Sequence, residues 1–188
     1  MRQTSLLTLV SLLLATACSH TQPADPQPDM KTDPVSVDAP ADDNPLFVAS
    51  PLPYQAPNFA AIELGHYRPA FERGMEEQLA EVAAIVANEE APTFENTVVA
   101  LERSGAILRR TGDAFFSISG TISNDEIQAI EAEMAPKLAA HSDAIELDAG
   151  LFARIDAVYQ AREGLTGEDL RLVEETHERF VRAGAKLD

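Results

Sequence analysis

The sequence predicts an all-α fold, and three observations carry that expectation. Apolar residues recur at spacings of three and four along five successive segments, as a helix with one buried face requires. Helix-start residues such as Asp148 and Thr166 stand just ahead of those stripes. No run in the folded part alternates apolar and polar residues as a half-buried strand would.

The elements follow in order from Asn44. Pro45, Pro51, Pro53 and Pro57 punctuate a stretch carrying Leu46, Phe47, Leu52, Tyr54 and Phe59. Bulky anchors without a helical period predict an irregular strap lying on the domain. A first helix is expected from about Leu64 to Asn88, with Pro69 tolerated in its early turns and Tyr67, Phe71, Met75, Leu79, Val82 and Val86 on one face. A second is expected from Phe94 to Gly120, its seam made of Val98, Leu101, Gly105, Leu108, Gly112, Phe115 and Ser119. Each glycine there costs about 1 kcal/mol of helix propensity, so a neighbouring helix is expected to cross close at both. The third opens with Ser123-Asn124-Asp125-Glu126, which fits a capping box. Its stripe is Ile127, Ile130, Met134, Leu138, His141 and Ile145, with a kink expected near Pro136. Asp148 caps the fourth, from about Ala149 to Arg162, which places Leu151, Phe152, Ile155, Val158 and Tyr159 inward and ends by Gly164. The fifth starts after Thr166 with the seam Leu170, Val173, His177, Phe180, Gly184 and Leu187, and no stop signal is read before Asp188. That reads as a helix cut in the middle, with part of its seam left unpaired.

Ahead of the strap lies a different kind of chain. Arg2 precedes an apolar run of Leu6, Leu7, Leu9, Val10, Leu12, Leu13, Leu14 and Ala15. Such a run is too short for the roughly 20 residues of a membrane-spanning helix and reads as a signal peptide over residues 1–17. Ala15-Thr16-Ala17-Cys18 resembles the lipobox of bacterial lipoproteins, which makes Cys18, the chain's one cysteine, the lipid-attachment residue. Ser19 behind it points to the outer membrane by the usual lipoprotein sorting. An ordinary secretory signal cleaved near Ala17 is the other reading. Residues 18–43, with Pro23, Pro26, Pro28, Pro34 and Pro40 among many aspartates, cannot bury enough apolar area to fold and read as a disordered tether. Residues 44–188 are then the folded domain. The expected location is a bacterial cell envelope, lipid-anchored at the outer membrane and facing the periplasm.

Composition narrows the function. With 31 acidic against 14 basic side chains in 188 residues, the formal charge is −17. Neutralising phosphates needs clustered Lys and Arg, so nucleic acid is excluded as a partner. A single cysteine excludes a disulfide framework and a cysteine-rich zinc site.

One fragment suggests chemistry. His177-Glu178-Arg179-Phe180-Val181 begins like His-Glu-x-x-His, in which two imidazoles a helical turn apart bind zinc and the Glu activates water. The second ligand position is Val181, and His177 sits on an apolar seam, so it reads as a core or interface histidine. His141 lies on the third stripe, His66 opens the first helix and His20 is in the tether. Glu76-Glu77, Glu89-Glu90 and Glu174-Glu175 read as solvated helix surface rather than acid–base pairs. No phosphate loop, nucleophile elbow or Ser/His/Asp order is present. On these grounds the chain holds no catalytic residue and no metal ligand.

Several blocks nevertheless resemble one family in order and spacing. They are Asn44-Pro45-Leu46-Phe47, Leu52-Pro53-Tyr54, His66-Tyr67-Arg68-Pro69-Ala70-Phe71 and Pro92-Thr93-Phe94-Glu95-Asn96-Thr97. Pro136-Lys137-Leu138-Ala139-Ala140-His141-Ser142-Asp143, Leu151-Phe152-Ala153-Arg154 and Phe180-Val181-Arg182-Ala183-Gly184-Ala185 continue the series. Together they resemble the N-terminal helical region of the thimet-oligopeptidase family of zinc metallopeptidases, in its bacterial peptidyl-dipeptidase branch. The resemblance implies a parent enzyme of two helical lobes flanking a channel, which releases C-terminal dipeptides from short peptides by zinc-activated water. The zinc motif and substrate-binding residues belong to the second half of that family, so no catalytic residue carries over. The chain then reads as a truncated N-terminal piece that walls the channel, with short peptides and the missing catalytic lobe as partners. A free-standing helical envelope lipoprotein that binds a partner is the alternative.

Overall fold

The computed structural model describes residues 43–122 and 124–186. Residues 1–17, read above as a signal peptide, and residues 18–42 of the expected tether, with Cys18 and His20, lie outside the described residues, as do Ser123, Leu187 and Asp188. Within them every regular element is helical.

The strap is anchored at its start. Asn44 Oδ1 accepts the Leu46 N–H at 3.0 Å, and its Nδ2 donates to the His66 carbonyl at 2.8 Å. A 3-10 turn, Pro45–Phe47, drives Leu46 into the core. Arg110 donates to the carbonyls of Leu46 and Phe47 at 2.9 and 3.1 Å. Those ties end at Phe47, and Leu52, Tyr54 and Phe59 are exposed rather than serving as anchors.

Helix α1, Tyr67–Val86, follows the 3-10 turn Leu64–His66. Its buried stripe holds Tyr67, Phe71, Gly74, Val82 and Ile85, with Gln78 filling the step between Gly74 and Val82. Because Gln78 occupies that step, Leu79 turns outward and is exposed, contrary to the face read from the sequence.

The second segment is two helices, not one. A π-helical stretch, Phe94–Val99, is capped by Thr93, whose Oγ1 accepts the Asn96 N–H at 3.1 Å while Asn96 Oδ1 accepts the Thr93 N–H at 2.8 Å. It passes into α2, Ala100–Arg103, and stops at Ser104, whose backbone is extended. Gly105 then takes φ 68°, a left-handed conformation that glycine adopts without a Cβ clash. Helix α3, Ala106–Ser119, restarts from there. Of the two glycines where a crossing is expected, Gly105 does meet α1, a Cβ there lying 2.5 Å from the Gln78 side chain, whereas a Cβ on Gly112 would meet only the Phe116 ring, at 3.8 Å. The backbones of α1 and α3 come closest at Gly74 and Leu108.

Asn124 caps α4, Asp125–Glu146, accepting the Ile127 N–H at 2.8 Å. The helix continues through the exposed Pro136 and buries Ile127, Ile130, Met134, His141 and Ile145, as its stripe predicts. Asp148 caps α5, Ala149–Gln160, accepting the Leu151 N–H at 2.7 Å.

Helix α6, Gly167–Ala183, does have a stop. Gly184 adopts φ 111°, its N–H donates to the Val181 carbonyl at 3.2 Å, and the Ala185 N–H donates to the Phe180 carbonyl at 3.0 Å. This pair of bonds around a left-handed glycine is the Schellman termination of a helix. The seam is also partnered within the fold: Val173 and Phe180 are fully buried, and Phe180 shares a cluster with Leu151 and Ile155 of α5. The reading of a helix without a stop is therefore corrected; the last seam residue, Leu187, lies outside the described residues.

The core forms around α1. Its first half joins Leu46, Phe115, Ile130 and Met134 in one cluster; its second half joins Leu101, Ile145, Leu151, Ile155 and Phe180 in another. Phe115 stands edge-on to both Tyr67 and Phe71, with centroids 5.1 and 5.5 Å away, the geometry in which a positive ring edge meets a negative face.

Candidate functional site

The break between α2 and α3 opens a groove of about 340 Å³. Gln78 of α1, Ser104 at the break and His141 of α4 line it, with Glu102, Arg109 and Arg179 among its other charged residues. The polar side chains form a directed relay. His141 Nε2 lies 2.7 Å from Gln78 Oε1, Gln78 Nε2 donates to Ser104 Oγ at 3.2 Å, and Ser104 Oγ donates to the Leu101 carbonyl at 2.7 Å. Beside it, Glu81 accepts the Gly105 N–H at 2.7 Å, placing a carboxylate at the positive start of α3.

That relay ties α4, α1 and the break after α2 together. Gln78 separates serine from histidine, and the serine proton is committed to a carbonyl, so no base activates a nucleophile. His141 Nδ1 is buried without a partner. Protonation there would create a second buried N–H, and burial accordingly holds the imidazole pKa below its usual value.

The other singled-out residues lie apart. His177 Nε2 is 2.9 Å from Asp156 Oδ1, and its ring stacks on Tyr159 at 3.9 Å between centroids and on Phe152 at 5.8 Å. His66 Nδ1 accepts the Glu63 N–H at 2.9 Å. The acidic neighbours are surface groups, and Glu77, Glu174 and Glu175 face Arg73, Arg162 and Arg171 respectively. His141 and His177 have partners on other helices, Gln78 and Asp156, and His66 bonds within its own 3-10 turn. Among the described residues no three His, Cys, Asp or Glu side chains are grouped to hold a metal ion.

Arg154 is a structural residue that the stripe of α5 does not single out. It is buried, donates to the carbonyls of Asn88 and Glu90 at 2.7 and 3.3 Å, and reaches Asn96 Oδ1 at 3.2 Å. The loop between α1 and the π-helical stretch is thereby clipped to α5.

Fold and groove together define a helical scaffold segment. Comparison with known proteins says of what. The chain is 49% identical over 146 residues to dipeptidyl carboxypeptidase of Escherichia coli strain K12, a match that covers 77% of this chain and 21% of that protein. It is equally 49% identical over 146 residues to dipeptidyl carboxypeptidase of Salmonella typhimurium strain LT2, covering 22% of that protein. No family model matches the chain. The chain is thus homologous to the N-terminal fragment of a peptidyl-dipeptidase, and spans about a fifth of the length of the curated relatives it matches.

Proposed function

We propose that this chain forms the N-terminal wall of a dipeptidyl carboxypeptidase and contributes no catalytic group of its own. The observation that carries the reading is the 49% identity to proteins of that name, confined to about a fifth of their length. Rigid helices packed around α1 suit a wall, because a barrier of fixed shape admits short extended peptides and excludes folded proteins. Specificity then comes from access. Zinc and the water it activates belong to the remainder of the enzyme, since the described histidines are engaged elsewhere. Cys18 carries the lipid that holds the assembly at the bacterial envelope, on the strength of Ala15-Thr16-Ala17 before it.

The test is a hybrid in which residues 44–188 replace the matched stretch of the Escherichia coli enzyme. It should release C-terminal dipeptides from short peptides and leave a folded protein untouched. A folded, zinc-loaded hybrid that cleaves no peptide, or one that trims folded proteins as readily, overturns the reading.

A further inference from the structure

From Asn44 to Ile62 no residue is charged, in a chain where 24% of residues are. Val48, Leu52, Tyr54 and Phe59 of this strap are four of the eight large apolar side chains exposed among the described residues. Tyr54 is fully exposed, and both it and Gln55 hold left-handed backbone, with φ 58° and 57°. Left-handed backbone is costly for such residues, and it presents the Tyr54 ring to solvent where the fold gains nothing from it. Beneath the strap lies an apolar notch of about 90 Å³, lined by Pro45, Leu46, Val48, Pro51, Pro57 and Ile62. It has room for an aliphatic side chain. Exposed apolar side chains gathered in one uncharged segment mark a contact site.

We infer that the strap, residues 48–59, is the surface on which the C-terminal remainder of the dipeptidyl carboxypeptidase polypeptide docks through an apolar patch of its own. The inference rests on the function proposed above and adds where the two parts meet. Two observations select this occupant. The curated relatives carry about four fifths of their length beyond what this chain matches, so in them a large body of chain is available to cover the strap. A second copy is disfavoured because each chain carries a net charge of −17, and the same charge opposes an anionic membrane.

The test is amide hydrogen exchange of residues 48–59 in the hybrid enzyme and in the 188-residue chain. Protection at least tenfold greater in the hybrid is expected, and Tyr54→Ser with Phe59→Ser should abolish the difference while Leu79→Ser leaves it. Equal exchange in the two proteins overturns the docking site, and if that hybrid still releases dipeptides the proposed function stands without it. Protection that grows with concentration of the 188-residue chain alone assigns the strap to a second copy. Protection by phosphatidylcholine vesicles assigns it to lipid. Either of those results also overturns the inference.

Discussion

Gly74 and Leu108 form the closest approach of a glycine to another helix's backbone: a Cβ built on Gly74 would lie 2.7 Å from the Leu108 nitrogen and 2.8 Å from its Cα. The obstacle is backbone, so no side-chain rotation relieves it, and α1 and α3 lie as close as they do because position 74 is empty beyond Cα.

Gly74→Ala is therefore expected to destabilise the domain by about 1–3 kcal/mol, the cost of overpacking a fitted interface. Gly112→Ala should be neutral or stabilising by up to about 1 kcal/mol, since its new methyl meets only ordinary contact and helix propensity improves. Urea unfolding of the two variants side by side reads the contrast. Equal losses would mean that the crossing is not where the structure puts it.

Arg154→Met keeps the aliphatic stem and removes the fork that binds Asn88, Glu90 and Asn96. Hydrogen bonds made by a charged group contribute about 1.5–3 kcal/mol. A loss in that range is expected, with amide exchange accelerating first in residues 88–96. Uniform acceleration across the domain would show that Arg154 acts on the core rather than on the loop.

Burial lowers the pKa of His141 in the folded state relative to its ordinary 6.5. Between the two values the unfolded chain binds more protons, so stability rises with pH. The contribution of His141 is therefore complete above about pH 6.5 and is lost as pH falls toward and through the folded-state value. Thermal unfolding at pH 7.5 and 5.5 should show a larger acid-induced loss for the wild type than for His141→Gln. An identical loss would place the acid sensitivity elsewhere.

Cys18 follows Ala15-Thr16-Ala17 as a lipid-attachment cysteine would. Radiolabelled palmitate supplied to the producing bacterium is expected to enter the wild-type chain and not Cys18→Ser. Equal labelling of both would remove the anchor.

Much of the fold is legible in the sequence because helix burial is periodic. Of the stripe Ile127, Ile130, Met134, Leu138, His141 and Ile145, all but the half-buried Leu138 are buried as their spacing predicts. Regularity also conceals the exceptions. The step from Leu101 through Gly105 to Leu108 keeps helical spacing across a break, and the readable sign was the Ser104-Gly105 pair, a common interruption. Gly184 sits at a seam position and is nonetheless a terminator, because its left-handed φ is invisible to spacing. The relay from His141 to Gln78 joins residues 63 positions apart, and only the packing of α4 on α1 brings them together. Exposure of Tyr54 was unreadable for a related reason, since a strap without a period does not declare which side faces inward.

The proposed function divides the work: this chain supplies a wall and the remainder of the enzyme supplies the chemistry. Its most direct test is dipeptide release from a short peptide, measured with saturating zinc for the 188-residue chain and for the hybrid enzyme at equal concentration. Release by the hybrid and none above background by the chain is the predicted result. Dipeptide release by the 188-residue chain, abolished by His177→Ala, would contradict it.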